Sequence, residues 1–297
     1  FCEEILRKEQ TARITVIDNL SIGLRENLPA DDSISFVQAD VCDQTLLEKL
    51  FSKNSFDYII HLAAIASVQD SIIDPVATHR VNFDSTLSLL ELARKQKCLR
   101  RFVFASSAAV YGDKPSFPCN ISDAVNPLTP YGVDKYASER YVVNSSKLFN
   151  VPATAFRFFN IYGPRQNPSS PYSGVVSIFA DRFKSEKPQL KIFGDGEQTR
   201  DFVFVKDLVK IVLASLNNDA STACVYNICT GKETSLNDVV RAFEQISGKK
   251  AEVTFCERRA GDIVRSVGNS ADIVNAGFIN DFTGIYSGLS ELWRSLS

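Results

Sequence analysis

The chain opens on an alternation of two patterns. Short runs of Val, Ile and Phe give way to longer stretches in which apolar residues recur every three or four positions. The runs at 13–18 (RITVID), 34–40 (ISFVQAD), 56–62 (FDYIIHL) and 101–106 (RFVFAS) are short and rich in β-branched and aromatic residues, which predicts strands. Between them, 44–51 carries Leu46, Leu47, Leu50 and Phe51 at helical spacing. Residues 82–97 carry Phe83, Leu87 and Leu90, with basic residues at the end where a helix C-terminus favours them. Strands that alternate with helices join in parallel through right-handed crossovers. Nearly continuous apolar strands belong to a sheet covered on both faces. The pattern therefore predicts an α/β fold built on a doubly wound, Rossmann-like parallel sheet.

Further along, 131–148 reads as a helix and 152–159 as another buried strand. The pattern then breaks into Pro, Gly, Ser and Asn from 160 to 200, with a short helix at 175–184. Helices are expected again at 207–216 and 236–246, the second capped by Ser235. The tail from Lys249 reads as irregular until a helix around 289–295. The expected division is a dinucleotide-binding domain of 1–160 plus 201–248, and a smaller α/β substrate lobe of 161–200 plus 249–297.

Composition narrows the function. Over 297 residues, 44% hydrophobic and 23% charged is globular composition and excludes a disordered chain. Lys+Arg 33 against Asp+Glu 35 gives a net charge of −2, without the basic excess that a nucleic-acid partner demands. No apolar run approaches the ~18 residues needed to span a bilayer, so no membrane partner is expected. The seven cysteines are odd in number and form no C-x-x-C pair, which points to a reducing compartment and a cytoplasmic location. With His61 and His79 the only histidines, no metal site is expected. The chain contains no Met, even at position 1. A strand and the Gly-rich turn that would cradle a pyrophosphate are expected to precede Phe1.

Open parallel sheets bind ligands at the carboxyl ends of their strands. Asp18 closes the first strand, where an acid accepts hydrogen bonds from adenosine ribose hydroxyls and repels a 2′-phosphate. That favours NAD over NADP; a plain turn aspartate before Asn19 is the alternative. Asp40 and Val41 close the next strand, where they can hold an adenine amine. Ser106 and Ser107 end a later strand. Tyr131 follows 24 residues after Ser107 at a helix start, and Lys135 lies four residues on, on the same helical face. A phenol titrates near pH 10, so a tyrosine needs help to act as a base at neutral pH. A neighbouring ammonium and a positive nicotinamide would favour tyrosinate, and a serine hydroxyl can share the same substrate oxygen.

Several segments together resemble nucleotide-sugar 4-epimerases (UDP-glucose and UDP-N-acetylglucosamine) of the extended short-chain dehydrogenase/reductase family. They are DNLSIG (18–23), HLAA (61–64), SSAAVYG (106–112), PYGVDKYASE (130–139), RFFNIYGPRQNP (157–168), GDGEQTRDFVFVKDL (194–208) and RAGD (259–262). The resemblance covers essentially the whole chain. It implies that Tyr131 is the general base and acid, that Lys135 binds the nicotinamide ribose and lowers the tyrosine pKa, and that Ser107 bonds the sugar 4-hydroxyl. It implies NAD contacts from Asp18, Asn19, Ser21, Gly23, Asp40, Val41, Leu62, Ala63, Ala64, Ser106, Phe158 and Phe159. Asn160, Arg200 and Arg259 match diphosphate ligands, and forked arginine donors suit phosphate oxygens. Asp262 matches the acid on the uridine ribose, and the base would lie between Phe193 and Val176. His61 is read as a core histidine.

Related dehydratases and decarboxylases carry an acid before the V-Y-G, where this chain has Ala108 and Ala109. The expected reaction is therefore 4-epimerization of a UDP-sugar through a transient 4-keto sugar. A uronate 4-epimerase, a 4-ketosugar reductase and a non-catalytic dinucleotide sensor are the alternatives. Ser266, four positions after the RAGD aspartate, takes the place of a residue that walls the pocket for the C2 substituent, so N-acetylated sugars are expected to enter. The family pairs as homodimers through the helices matching 82–97 and 131–148, where Leu90, Tyr136 and Tyr141 would supply apolar area.

Overall fold

The computed structural model describes residues 1–114, 116–167, 174–258 and 263–296, and they gather into two compact units. The first comprises Phe1–Gly112, Ala124–Arg157 and Ile211–Tyr226. Its predicted strands are present. Ile14–Asp18 pairs in parallel with Ile34–Gln38, and Tyr58–His61 pairs in parallel with Arg101–Ser107. The latter two belong to a four-stranded sheet in the order Cys224–Ile228, Ala153–Phe158, Arg101–Ser107, Tyr58–His61. Arg101 to Ser106 are buried without a break, as a strand covered on both faces must be. Around it pack Leu47, Leu89, Leu90, Phe102, Phe104, Val142 and Ala155.

The helix Pro130–Phe149 is specified locally at both ends. Thr129 Oγ1 accepts from Gly132 N at 3.2 Å, proline holds the first turn, and Asn150 closes the helix in the left-handed region at φ 56°. The residue after Tyr131 must be small: a Cβ on Gly132 would stand 3.0 Å from the Ala109 carbonyl oxygen and 3.1 Å from Pro127 Cβ. The helix expected at 82–97 starts earlier and is interrupted. Asp74 caps Pro75–His79, Arg80–Asp84 forms a π-helical turn, and Ser85–Ala93 completes the run. At the interruption, the Asn82 carbonyl accepts from Thr86 Oγ1 at 2.9 Å and Ser138 Oγ at 3.0 Å. Two side-chain hydroxyls thus converge on a carbonyl of the π-helical turn.

The second unit comprises Asp113–Asp123, Phe158–Lys210 and Asn227–Ser297. Its core joins Tyr162, Phe179, Phe183, Leu190, Phe204, Phe243, Leu289 and Leu292. Leu236–Ser247, which the sequence places with the first domain, packs in this core through Val239 and Phe243. Its start is the expected Ser235, in a reciprocal capping box with Asp238. Where the sequence reads as irregular, Glu252–Cys256 is a strand pairing in parallel with Gln189–Phe193. Two residues of it, Val253 and Cys256, are only partly buried, so no clean alternation announced it. Among the described residues no helix is long and apolar enough to cross a membrane, and all seven cysteines are free thiols.

Candidate active site

Ser107 ends the central strand and Tyr131 starts the helix that packs on it, and the Ser107 side chain is near enough to the Tyr131 hydroxyl to influence its proton affinity. One turn on, Lys135 is buried at 3% exposure, and its Nζ donates to the Ala105 carbonyl oxygen at 2.9 Å. The ammonium stands 5.9 Å from the Tyr131 ring centroid and 5.0 Å from that of Phe104. Strand end and helix start thus bring three of the predicted groups together. Burial pulls the Lys135 pKa down from 10.5 to about 8, and the neighbouring Asp134 offsets part of that. For Tyr131, burial raises the phenol pKa and the neighbouring Ser107 hydroxyl works in the opposite direction, with burial the larger. Burial thus makes the phenol harder to ionise, against the lowering expected from an ammonium together with a positive nicotinamide.

Asp18 stands at the carboxyl end of Ile14–Asp18, and its Oδ1 accepts from Leu20 N at 2.7 Å. A Cβ on Gly23 would come within 3.0 Å of Asp18 Oδ2, so the bare glycine keeps that oxygen approachable. This fits ribose hydroxyls, and the carboxylate would repel an extra phosphate. Asn19 Oδ1 accepts from Ser21 N at 3.0 Å and shapes the same turn. Asp40 is exposed and holds Cys42 N at 2.8 Å, while Val41 packs against the core. Leu62 and Ala63 are exposed and Ala64 half-buried, just past the strand Tyr58–His61. Backbone there is available to a cofactor.

In the second unit, Thr199–Arg200 lies between Thr234–Ser235 and Arg265–Ser266, with Ser266 directly beside Arg200. Asn160 is exposed, and its N–H donates to the Asp201 carbonyl oxygen at 3.0 Å. Asn160, Arg200 and Ser266 are therefore neighbours on one framework. Phe158 and Phe193 are half-buried and Phe159 is buried. Val176 is 1% exposed inside the apolar core and offers no surface to a base, against the expectation for it. Arg259 and Asp262 lie outside the described residues.

Three supporting residues escaped the sequence reading. Asn82, 1% exposed, accepts from Ile65 N at 2.8 Å and donates to Ile65 O at 3.0 Å, which fixes the loop that follows His61. A lone Asn inside an apolar helix was the available signal. Asp201 is fully buried and accepts from Thr230 N and Oγ1, Gly231 N and Gly268 N, at 2.7 to 3.3 Å. It ties the Arg200 strand to the chain beyond Ser266. Burial raises its pKa, and these four donors work in the opposite direction. Glu139, buried next to Ser106, is the third.

A doubly wound sheet with a Ser–Tyr–Lys cluster at a strand end and an acid at the ribose position defines a dinucleotide-dependent α/β enzyme. The chain belongs to the NAD dependent epimerase/dehydratase family, whose model matches residues 1–229. It is similar to the UDP-glucose 4-epimerase of Mycolicibacterium smegmatis, with 36% identity over 253 residues, 84% of this chain and 80% of that protein. Among solved structures, it resembles the UDP-glucose 4-epimerase of Thermotoga maritima with UDP-glucose, at TM-score 0.92 and 31% identity over 99% of this chain and 93% of that one. The UDP-N-acetylglucosamine 4-epimerase of Methanobrevibacter ruminantium is similar at TM-score 0.91 and 30% identity, over 98% and 93%.

Proposed function

We propose that the protein is an isomerase that interconverts the C4 epimers of UDP-hexoses, with NAD resident. UDP-GlcNAc/UDP-GalNAc and UDP-Glc/UDP-Gal are its expected substrate pairs. The observation that carries the reading is Ser107 at the strand end and Tyr131 at the helix start that packs on it, with the buried Lys135 ammonium one turn away and 5.9 Å from the Tyr131 ring centroid, beside Ala108 and Ala109, which carry no acid or base. Bound NAD would supply a reversible acceptor for the hydrogen at sugar C4. Tyr131 takes the proton of the 4-hydroxyl and returns it, and Ser107 holds the same oxygen. Lys135 places positive charge beside the phenol and anchors the nicotinamide ribose. Asp18 takes the adenosine ribose. With nothing at 108 or 109 to withdraw a second proton, the 4-keto sugar is left to be reduced again from its other face. Asn160 and Arg200, with Arg259, are the proposed diphosphate ligands, and Ser266 the residue at the C2 substituent.

The same reading includes a homodimer. Val76 is 79% exposed, and Val133 and Tyr141 are 49% and 50% exposed. Tyr136 is half-buried. Leu90, expected to contribute, is 4% exposed and belongs to the core of its own chain. Two measurements test the function: the dinucleotide released when the purified protein is denatured, and turnover on a panel of UDP-sugars. Released NAD with interconversion of C4 epimers is expected. Stoichiometric consumption of NADPH would instead assign a 4-ketosugar reductase, and turnover of UDP-glucuronic acid alone a uronate epimerase.

A further inference from the structure

We propose that the buried Glu139–Arg157 pair is a positioning device that holds Ser107 in register with Tyr131; this rests on the epimerase reading. Glu139 is fully buried and lies eight residues after Tyr131 and four after Lys135 on the same helix. Its Oε2 accepts from Ser106 Oγ at 2.8 Å and from Arg157 Nε at 2.9 Å, and its Oε1 accepts from Arg157 Nη2 at 2.7 Å. Arg157 comes from the neighbouring strand, Ala153–Phe158, and is itself 4% exposed. Its guanidinium lies 4.7 Å from the centroid of the Tyr111 ring, and Tyr111 closes the turn Ala108–Tyr111 that follows Ser107.

Ser107 is thereby bracketed. Before it, the helix grips two successive residues of the strand: Lys135 takes the Ala105 carbonyl and Glu139 takes the Ser106 hydroxyl. After it, Arg157 packs under the turn. A buried charge pair is no efficient stabiliser, because desolvation offsets its attraction and apolar side chains of similar volume often serve as well. What the forked, charge-assisted bonds add is direction and distance. Apolar packing would let the strand end slide against the helix. The placement of Ser107 against Tyr131 is sensitive to such sliding, since a misplacement of about 1 Å at reacting groups can cost on the order of 100-fold in rate. Neither Glu139 nor Arg157 donates to or accepts from Tyr131 or Ser107 in the bonds that hold the pair, so they act through Ser106 and the turn.

The test is the double variant Glu139→Leu/Arg157→Met, which removes both charges together and keeps the volume. Turnover, KM, NAD content and amide hydrogen exchange over residues 106–111 are compared with the wild type. The expected result is a kcat lowered about tenfold or more, in line with a small misplacement of reacting groups, with KM for the UDP-sugar and NAD content essentially unchanged and faster exchange over 106–111. A kcat equal to the wild type, or a loss of kcat that merely follows a loss of NAD, overturns the proposal. Should the double variant fail to fold, Glu139→Gln, which keeps the volume and removes the charge that grips both Ser106 and Arg157, decides: lowered kcat at full NAD content supports the positioning role, and unchanged kcat overturns it. A wild type inactive on every UDP-sugar would defeat the functional reading alone. The exchange comparison would then decide the positioning role, and unchanged protection would overturn it.

Discussion

His61 should make folding stability depend on pH in a way a single substitution removes. It closes the strand Tyr58–His61, is 5% exposed, and stands 3.1 Å from Thr86 Oγ1 through its Nε2. The rings of Phe102 and Phe104 lie 6.4 and 5.9 Å away, centroid to centroid. Burial, and secondarily the charge of Lys135, push its pKa from 6.5 down to about 3. The folded value is below the unfolded one, so this contribution is fully present above pH 6.5 and is lost as the pH falls from there toward 3. Between pH 7 and pH 5 the unfolded chain takes up a proton at this site and the folded chain does not. With an unfolded pKa of 6.5, that uptake amounts to about 1.9 kcal/mol of lost stability, whatever the folded value, provided it stays well below 5. His61→Phe replaces one ring with another among aromatic neighbours, and the Thr86 hydroxyl still donates to the Asn82 carbonyl. Urea unfolding of both proteins at pH 7 and pH 5 provides the comparison. The wild type should lose about 1.9 kcal/mol more than the variant over that interval. Equal losses would mean that His61 is not held neutral, and the burial reasoning fails.

Tyr131→Phe should lower turnover by about 10²- to 10⁴-fold while NAD stays bound, because the ring packing survives and only the proton-transferring hydroxyl is lost; a residual rate above about a tenth of wild type is too high for a lost general acid–base. Lys135, whose pKa lies at about 8, loses its charge as the pH rises through that value. Turnover should therefore fall on the alkaline side with an apparent pKa near 8, a limb absent from the residual activity of Lys135→Met; a wild-type profile flat to about pH 9.5 contradicts this. Ser266→Tyr should reduce kcat/KM on the N-acetylated pair by roughly 5- to 150-fold through steric overlap and spare UDP-galactose; parallel losses, or none, remove Ser266 from the role of gate. Light scattering should give a mass about twice the 32.9 kDa of one chain, and Val76→Asp should shift it toward the single-chain value; a wild-type mass of one chain refutes the dimer.

What the sequence determined by itself is what short-range spacing encodes. The strand at Arg101–Ser107 was legible because a fully buried strand needs an unbroken apolar run. Tyr131 and Lys135 were legible as a pair because positions four apart share a helical face in any helix. Ser235 announced the start of its helix because a cap bonds within its own turn. Tertiary structure decided what depends on partners distant in the chain. Glu252–Cys256 is a strand because Gln189–Phe193 lies alongside it. Leu90 and Tyr141 were equal candidates for an exposed apolar face, yet one is 4% exposed and the other 50%. The Ser106–Glu139–Arg157 network joins two strands and a helix through side chains whose letters carry no sign of their burial. The proton affinities of Tyr131 and Lys135 follow the same rule. Spacing placed the groups together, but desolvation set the direction of each shift, and desolvation is a sum over every element packed around the group.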